Sequence, residues 1–95
     1  MTQNYKIIES TPRYLLLIPE GEEDRINNCV VHDKKTQHGY NVRYNFNAVT
    51  SYRMQIGDYN ENFVPPAKIL SAMYELVNKE AIERRKAKYK LLVNL

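Results

Sequence analysis

The side chains best suited to metal or nucleophilic chemistry lie in one short segment. Cys29, His32 and His38 follow a C-x2-H-x5-H spacing, which supplies three ligands and no second pair for a structural zinc site. In a strand, Cys29 and His32 would also point to opposite faces, because side chains alternate. No local motif pairs Cys29 with a base, and burial is the commoner fate of a lone thiol. We therefore predict no metal and no cofactor.

Carboxylates concentrate in the stretch "PEGEED", which contains Glu20, Glu22, Glu23 and Asp24. No spacing in this stretch specifies a nuclease-like site, and clustered exposed carboxylates are normally solvated. The chain has three glycines and shows neither a Gly-rich phosphate loop nor a serine nucleophile elbow. We predict that the protein is not an enzyme.

Basic side chains form two segments that are well separated along the chain. Residues 34–57 contain four basic side chains and no acid, and residues 79–90, "KEAIERRKAKYK", contain six basic and two acidic side chains. In the second segment Glu80 and Arg84 form an i,i+4 pair of the kind found on ordinary exposed helices. Guanidinium and ammonium groups bind phosphates, so the remaining surplus favours a nucleic-acid site. Its predicted members are Lys34, Lys35, Arg43, Arg53, Arg84, Arg85, Lys86, Lys88 and Lys90.

Several strands precede these cations or contain them. The segments 5–9, 14–18 and 27–31 are predicted as strands, and "YLLLI" at 14–18 is apolar on both faces, which is typical of a strand covered on both sides. The segments 40–46 and 50–56 each alternate between apolar and polar residues, which predicts an antiparallel hairpin.

The predicted hairpin separates aromatic from polar side chains. One face collects apolar residues, namely Tyr40, Val42, Tyr44, Phe46, Thr50, Tyr52, Met54 and Ile56. The other face collects amides, a serine, Arg43 and Arg53, with no acid to neutralise them. Aromatic side chains in such a pattern pack more often in a core than they stack on bases. The nucleic-acid hypothesis therefore depends on the arginines and lysines.

A long helix is predicted after Pro65 and Pro66, which suit a first helical turn. Apolar residues recur at helical spacing from Ile69 to Val77, and the stripe then fades. The chain closes on "LLVNL", an apolar cluster that is expected to mark a contact. The tail either turns back as an edge strand or packs on a second protomer. We favour a homodimer formed through Leu91, Leu92, Val93 and Leu95.

These elements predict a single α+β domain over residues 1–95. An antiparallel sheet of about four to five strands is followed by one long C-terminal helix packed on one face. This order is similar in outline to that of single-strand-binding transcription-coactivator domains, a similarity of topology alone. One cysteine fits a reducing compartment, and the longest aliphatic run is too short to span a membrane. We expect a cytoplasmic protein without a membrane partner, in the host cytoplasm if it is virus-encoded.

The leading hypothesis is therefore a small non-enzymatic protein that binds nucleic acid through its basic hairpin face and cationic helix end. The alternative is a protein-interaction module, such as a small virus-encoded inhibitor or adaptor of a host protein. The acidic stretch and the apolar tail favour this alternative. The net charge of +3 argues against a nucleic-acid mimic, which would be acidic.

Overall fold

The computed structural model describes the backbone of residues 4–44, 54–56 and 63–93, and the side chains of residues 4–44 and 63–88. Four strands form an antiparallel meander: β1 (Tyr5–Ser10), β2 (Tyr14–Pro19), β3 (Val30–Asp33) and β4 (His38–Tyr44). A short 3-10 helix (Ile26–Asn28) precedes β3, a three-residue strand β5 (Met54–Ile56) pairs with β4, and one long helix α1 (Ala67–Val93) follows. The predicted α+β class, with an antiparallel sheet and one long C-terminal helix, is confirmed.

The core lies between α1 and one face of the sheet, which we name the inner face. Leu16 and Ile18 of β2 are fully buried there, whereas Leu15 and Leu17 on the opposite, outer face are half-buried. Cover on both faces of β2 was predicted, but among the described residues α1 covers only the inner one. Leu15 and Leu17 are shielded only in part, because side chains of the adjacent strands cover them and no described helix does.

The predicted hairpin is confirmed where the structure describes it. Val42 pairs with Ile56, and Arg43 pairs with Gln55, in an antiparallel register. Val42 is fully buried, while Tyr40 and Tyr44 pack against the core, as predicted for the aromatic face. Residues 45–53, which include Phe46, Tyr52 and Arg53, lie outside the described residues.

The third strand begins later than the sequence pattern predicted. Residues 26–28 form a single 3-10 turn that buries Ile26 completely, and the Cys29 N–H donates to the Ile26 carbonyl at 3.0 Å. The strand then runs over Val30–Asp33. Burial of Ile26 against α1 outweighs the strand preference of this segment, which local pattern cannot reveal.

Helix α1 contains two halves that differ in packing. Its anchored half, residues 67–80, buries Ile69, Met73 and Val77 at a spacing of four, and the burial continues to Glu80. Its distal half, residues 81–93, which we name the arm, has every side chain from 82 to 88 exposed.

The backbone is helical through Val93, so the alternative of an edge strand is wrong for residues 91–93. The segment from 67 to 93 contains no glycine or proline to stop the helix, and leucine is a good helix former. Leu95 lies outside the described residues. Within the part of the chain that the structure describes, no helix has the length and apolar character needed to cross a bilayer.

Candidate nucleic-acid interface

The predicted cations fall at two opposite ends of the sheet. At the lower end, the β1–β2 turn meets the β3–β4 turn, where the Lys34 N–H donates to the Arg13 carbonyl at 2.8 Å. At the upper end, the Asn27 side chain exchanges hydrogen bonds with the Tyr44 backbone. Lys34 and Lys35 therefore lie below the sheet, while Arg43 lies near its top on the outer face. Residues 38 and 43 of β4 are about 17 Å apart at the usual rise of a strand.

The lower end is held together by a buried carboxylate that the sequence did not reveal. Asp33 is 2% exposed and accepts from Arg13 Nη2 at 2.9 Å and from Arg13 Nε at 3.1 Å. It also accepts from the Lys35 N–H at 2.9 Å. The hydrogen bond from Arg13 holds the pKa of Asp33 well below its usual range. Asp33 thus fixes the turn that carries Lys34 and Lys35, whose own side chains are exposed.

The base of the arm is held by a second buried carboxylate. Glu80 Oε2 accepts from the Ile26 N–H at 2.9 Å, and Glu80 Oε1 accepts from Arg84 Nη2 at 3.1 Å. The sequence did give a signal for this contact, because Glu80 interrupts the apolar stripe at a core-facing position. Arg84 is therefore a structural partner of Glu80 as well as an exposed cation.

Beyond Glu80 the arm is cationic. Arg85, Lys86 and Lys88 are exposed, as is Arg84. Lys86 lies 3.8 Å from Glu83, and both side chains are well exposed, so this ion pair is weak. Arg85 and Lys88 form no ion pair with an acid among the side chains that the structure describes. The side chain of Lys90 is outside that set.

The charge changes sign along the upper end. The acidic connection between β2 and β3 lies beside the base of the arm, where Asp24 accepts from Lys79 Nζ at 2.7 Å. That contact raises the pKa of Lys79. A polyanion would be repelled at the base and attracted toward the tip.

The three residues that suggested metal or thiol chemistry do not converge. Cys29 is 1% exposed on the inner face, whereas His32 lies on the outer face, as the alternation predicted. Burial, with a smaller effect of the Glu80 charge, raises the pKa of Cys29 to about 12, so the thiol is protonated at neutral pH. Among the described residues, no three His, Cys, Asp or Glu side chains form a group that could hold a metal ion.

No family model, no curated protein and no solved structure matches this chain. The similarity in outline to transcription-coactivator domains therefore stays a prediction.

Proposed function

We propose that the protein binds nucleic acid through the arm of α1, with Arg85, Lys86 and Lys88 contacting phosphates. Arg43 lies at the same end of the sheet but on the outer face, opposite the face that α1 covers. One observation carries this proposal. The arm continues for 13 residues past Glu80, the last buried residue among the described side chains of α1, and exposes every side chain from 82 to 88.

The physical case depends on how little the arm contributes to the fold. A helical segment of this length gains little stability without tertiary packing. The exposed cationic residues of the arm therefore do not serve to pack it on the protein. Residues 82–88 hold four cations and one acid. Each phosphate that such cations neutralise releases condensed counterions, which drives binding at low salt.

A pair of charge reversals at opposite ends of the molecule tests the proposal. The variant Arg85→Glu with Lys88→Glu should lose nucleic-acid binding, measured by fluorescence anisotropy at low salt. The matched control, Lys34→Glu with Lys35→Glu, makes the same change in net charge at the lower end and should retain most of the affinity. Equal losses in both variants would show a general charge effect and would contradict a site on the arm.

The end of the arm also carries our proposal of a homodimer. Residues 91–93 lie about 16–20 Å beyond Glu80 along the axis at 1.5 Å per residue, too far to reach the protomer's own core. Three aliphatic residues at this distance favour a second copy as their cover. Light scattering should give a dimer for the full chain and a monomer for a chain ending at Lys90. A truncated chain that stays dimeric would place the interface elsewhere.

Docking of a partner protein is a second candidate, favoured by one feature of the outer face. Tyr5 and Ile7 are 46% and 57% exposed on β1, beside the half-buried Leu15 and Leu17. Apolar docking on this face would persist at high salt, whereas phosphate binding would not. The double variant Tyr5→Ser with Ile7→Ser should leave nucleic-acid binding unchanged. A loss of that binding would show that the outer face and the arm belong to one binding site.

A further inference from the structure

We infer that the ligand of the arm is a B-form DNA duplex and that the arm enters its major groove. This inference rests on the proposed function and adds the class of nucleic acid and the way in which it is held.

The cations lie on two flanks of the arm. A helix turns about 100° per residue, so Arg85 and Lys88 lie within about 60° of each other. Lys86 lies about 160° around the axis from Lys88. The helical backbone places residue 90, a lysine, about 40° from Lys86. A helix that rests on a flat anionic surface needs cations on one side only.

A groove has phosphates on both sides, and this matches the two flanks. The major groove of B-form DNA is about 12 Å wide and admits one α-helix, which measures about 10–12 Å across with its side chains. Cations on opposite flanks can then reach the two phosphate rows at once. The acidic connection at the base, which includes Asp24, opposes deeper entry and leaves the cationic part of the arm, from residue 84 onward, as the inserted part.

Other nucleic acids fit the arm less well. The major groove of A-form RNA is deep and narrow, so side chains of a helix cannot enter it. Single strands are held largely by bases stacking on aromatic side chains. The side chains described in the arm, from 82 to 88, include no aromatic ring, and the one aromatic residue of the arm, Tyr89, has a side chain outside the described set.

The test compares three probes with the full-length protein. Fluorescence anisotropy is measured with a labelled DNA duplex of about 20 base pairs, long enough for nearly two helical turns, with one of its strands alone, and with the RNA duplex of the same sequence. We expect the tightest binding to the DNA duplex. Lys86→Ala and Lys88→Ala, one on each flank, are the test variants, and Lys35→Ala at the lower end is the control.

Each flank variant should lose about one unit of salt slope. A fourfold rise in salt would then cost each variant about 3.5-fold less affinity than it costs the unmodified protein. The control should keep the full slope. Circular dichroism melts should coincide for all four proteins, because the substituted side chains are exposed.

The outcomes separate this inference from the proposed function. If the single strand or the RNA duplex binds as tightly as the DNA duplex or more tightly, the inference of a DNA major groove is overturned. The proposal of nucleic-acid binding then still stands. An effect of only one flank variant also overturns it, because that result indicates a one-sided contact. Absence of binding to all three probes at low salt overturns both proposals.

Discussion

The anchored half and the arm belong to one continuous helix, yet they meet different surroundings. In the anchored half, Met73 is fully buried and Glu80 points into the protein, where a backbone N–H and an arginine satisfy it. In the arm, Ile82 is 51% exposed and the charged side chains from 83 to 88 face solvent. A helical backbone alone therefore does not show what role a segment has. The partners of its charged side chains indicate that role.

The largest difference between the halves is expected from truncation of an apolar side chain. Met73→Ala should lower the free energy of unfolding by about 2–5 kcal/mol, because it leaves a cavity in the core. Ile82→Ala, at an exposed position of the arm, should change it by less than about 0.5 kcal/mol. Urea denaturation followed by circular dichroism measures both. A comparable loss for Ile82→Ala would mean that the arm packs on something in solution.

The next effect concerns the carboxylate at the junction of the two halves. Glu80→Ala should cost about 1–3 kcal/mol, because the buried Ile26 N–H loses its acceptor. Glu80→Gln keeps an acceptor oxygen and should cost less. Urea denaturation of both variants tests this order. Equal losses would show that the negative charge toward Arg84, and not the acceptor for Ile26, is what matters.

The sequence predicted most of the fold because its signals were local. The spacing of Ile69, Met73 and Val77 located the packed side of α1, and alternation located β4 and its antiparallel pairing with β5. The i,i+4 pair of Glu80 with Arg84 was predicted, but one buried contact of Glu80 and one of Asp33 were not, because the partners are distant in sequence. Glu80 binds a backbone group 54 residues away, and Asp33 binds Arg13 20 residues away.

The candidate site was predicted only in part, for a related reason. Sequence grouped Lys34 and Lys35 with the helix end because all of them are cationic. The direction of the strands decides which cations share an end, and it places these two lysines away from the arm. Side chains of Arg53 and Lys90, also predicted members, lie outside the described residues.

Acid should affect the packed body of the protein and not the arm. The pKa of Asp33 is lowered from 3.8 by Arg13, so the stability that this pair contributes is present above that ordinary value and is lost as pH falls below it. Asp33→Asn should flatten the decline of stability with acid, seen in melting temperatures measured from neutral to acidic pH. The matched change in the arm, Glu83→Gln, should leave the decline as it is. An unchanged decline in Asp33→Asn would contradict the assignment.

The smallest effect is expected from glycine in place of alanine. Ala72→Gly in the anchored half should cost about 1 kcal/mol of unfolding free energy through helix propensity, plus any lost packing. Ala87→Gly in the arm should cost less than about 0.5 kcal/mol, because we expect the exposed arm to open locally without unfolding the rest of the protein. Hydrogen exchange on the same pair should show fast amides in the arm of both variants. Slow exchange of the arm amides would contradict the distinction between a packed anchored half and an unpacked arm.

Strand β1 pairs with β2 through a shifted register, and this shift bears on how copies of this chain can meet. Among the described strands β1 forms one edge of the sheet, and its register to β2 shifts between Ile7 and Glu9. A shift of this kind twists the strand and breaks the even row of backbone groups that a docking strand would need. Edge-to-edge growth into fibrils is thereby disfavoured, although Tyr5 and Ile7 expose apolar surface on that strand. Concentrated protein should accordingly form discrete particles and not thioflavin-positive aggregates.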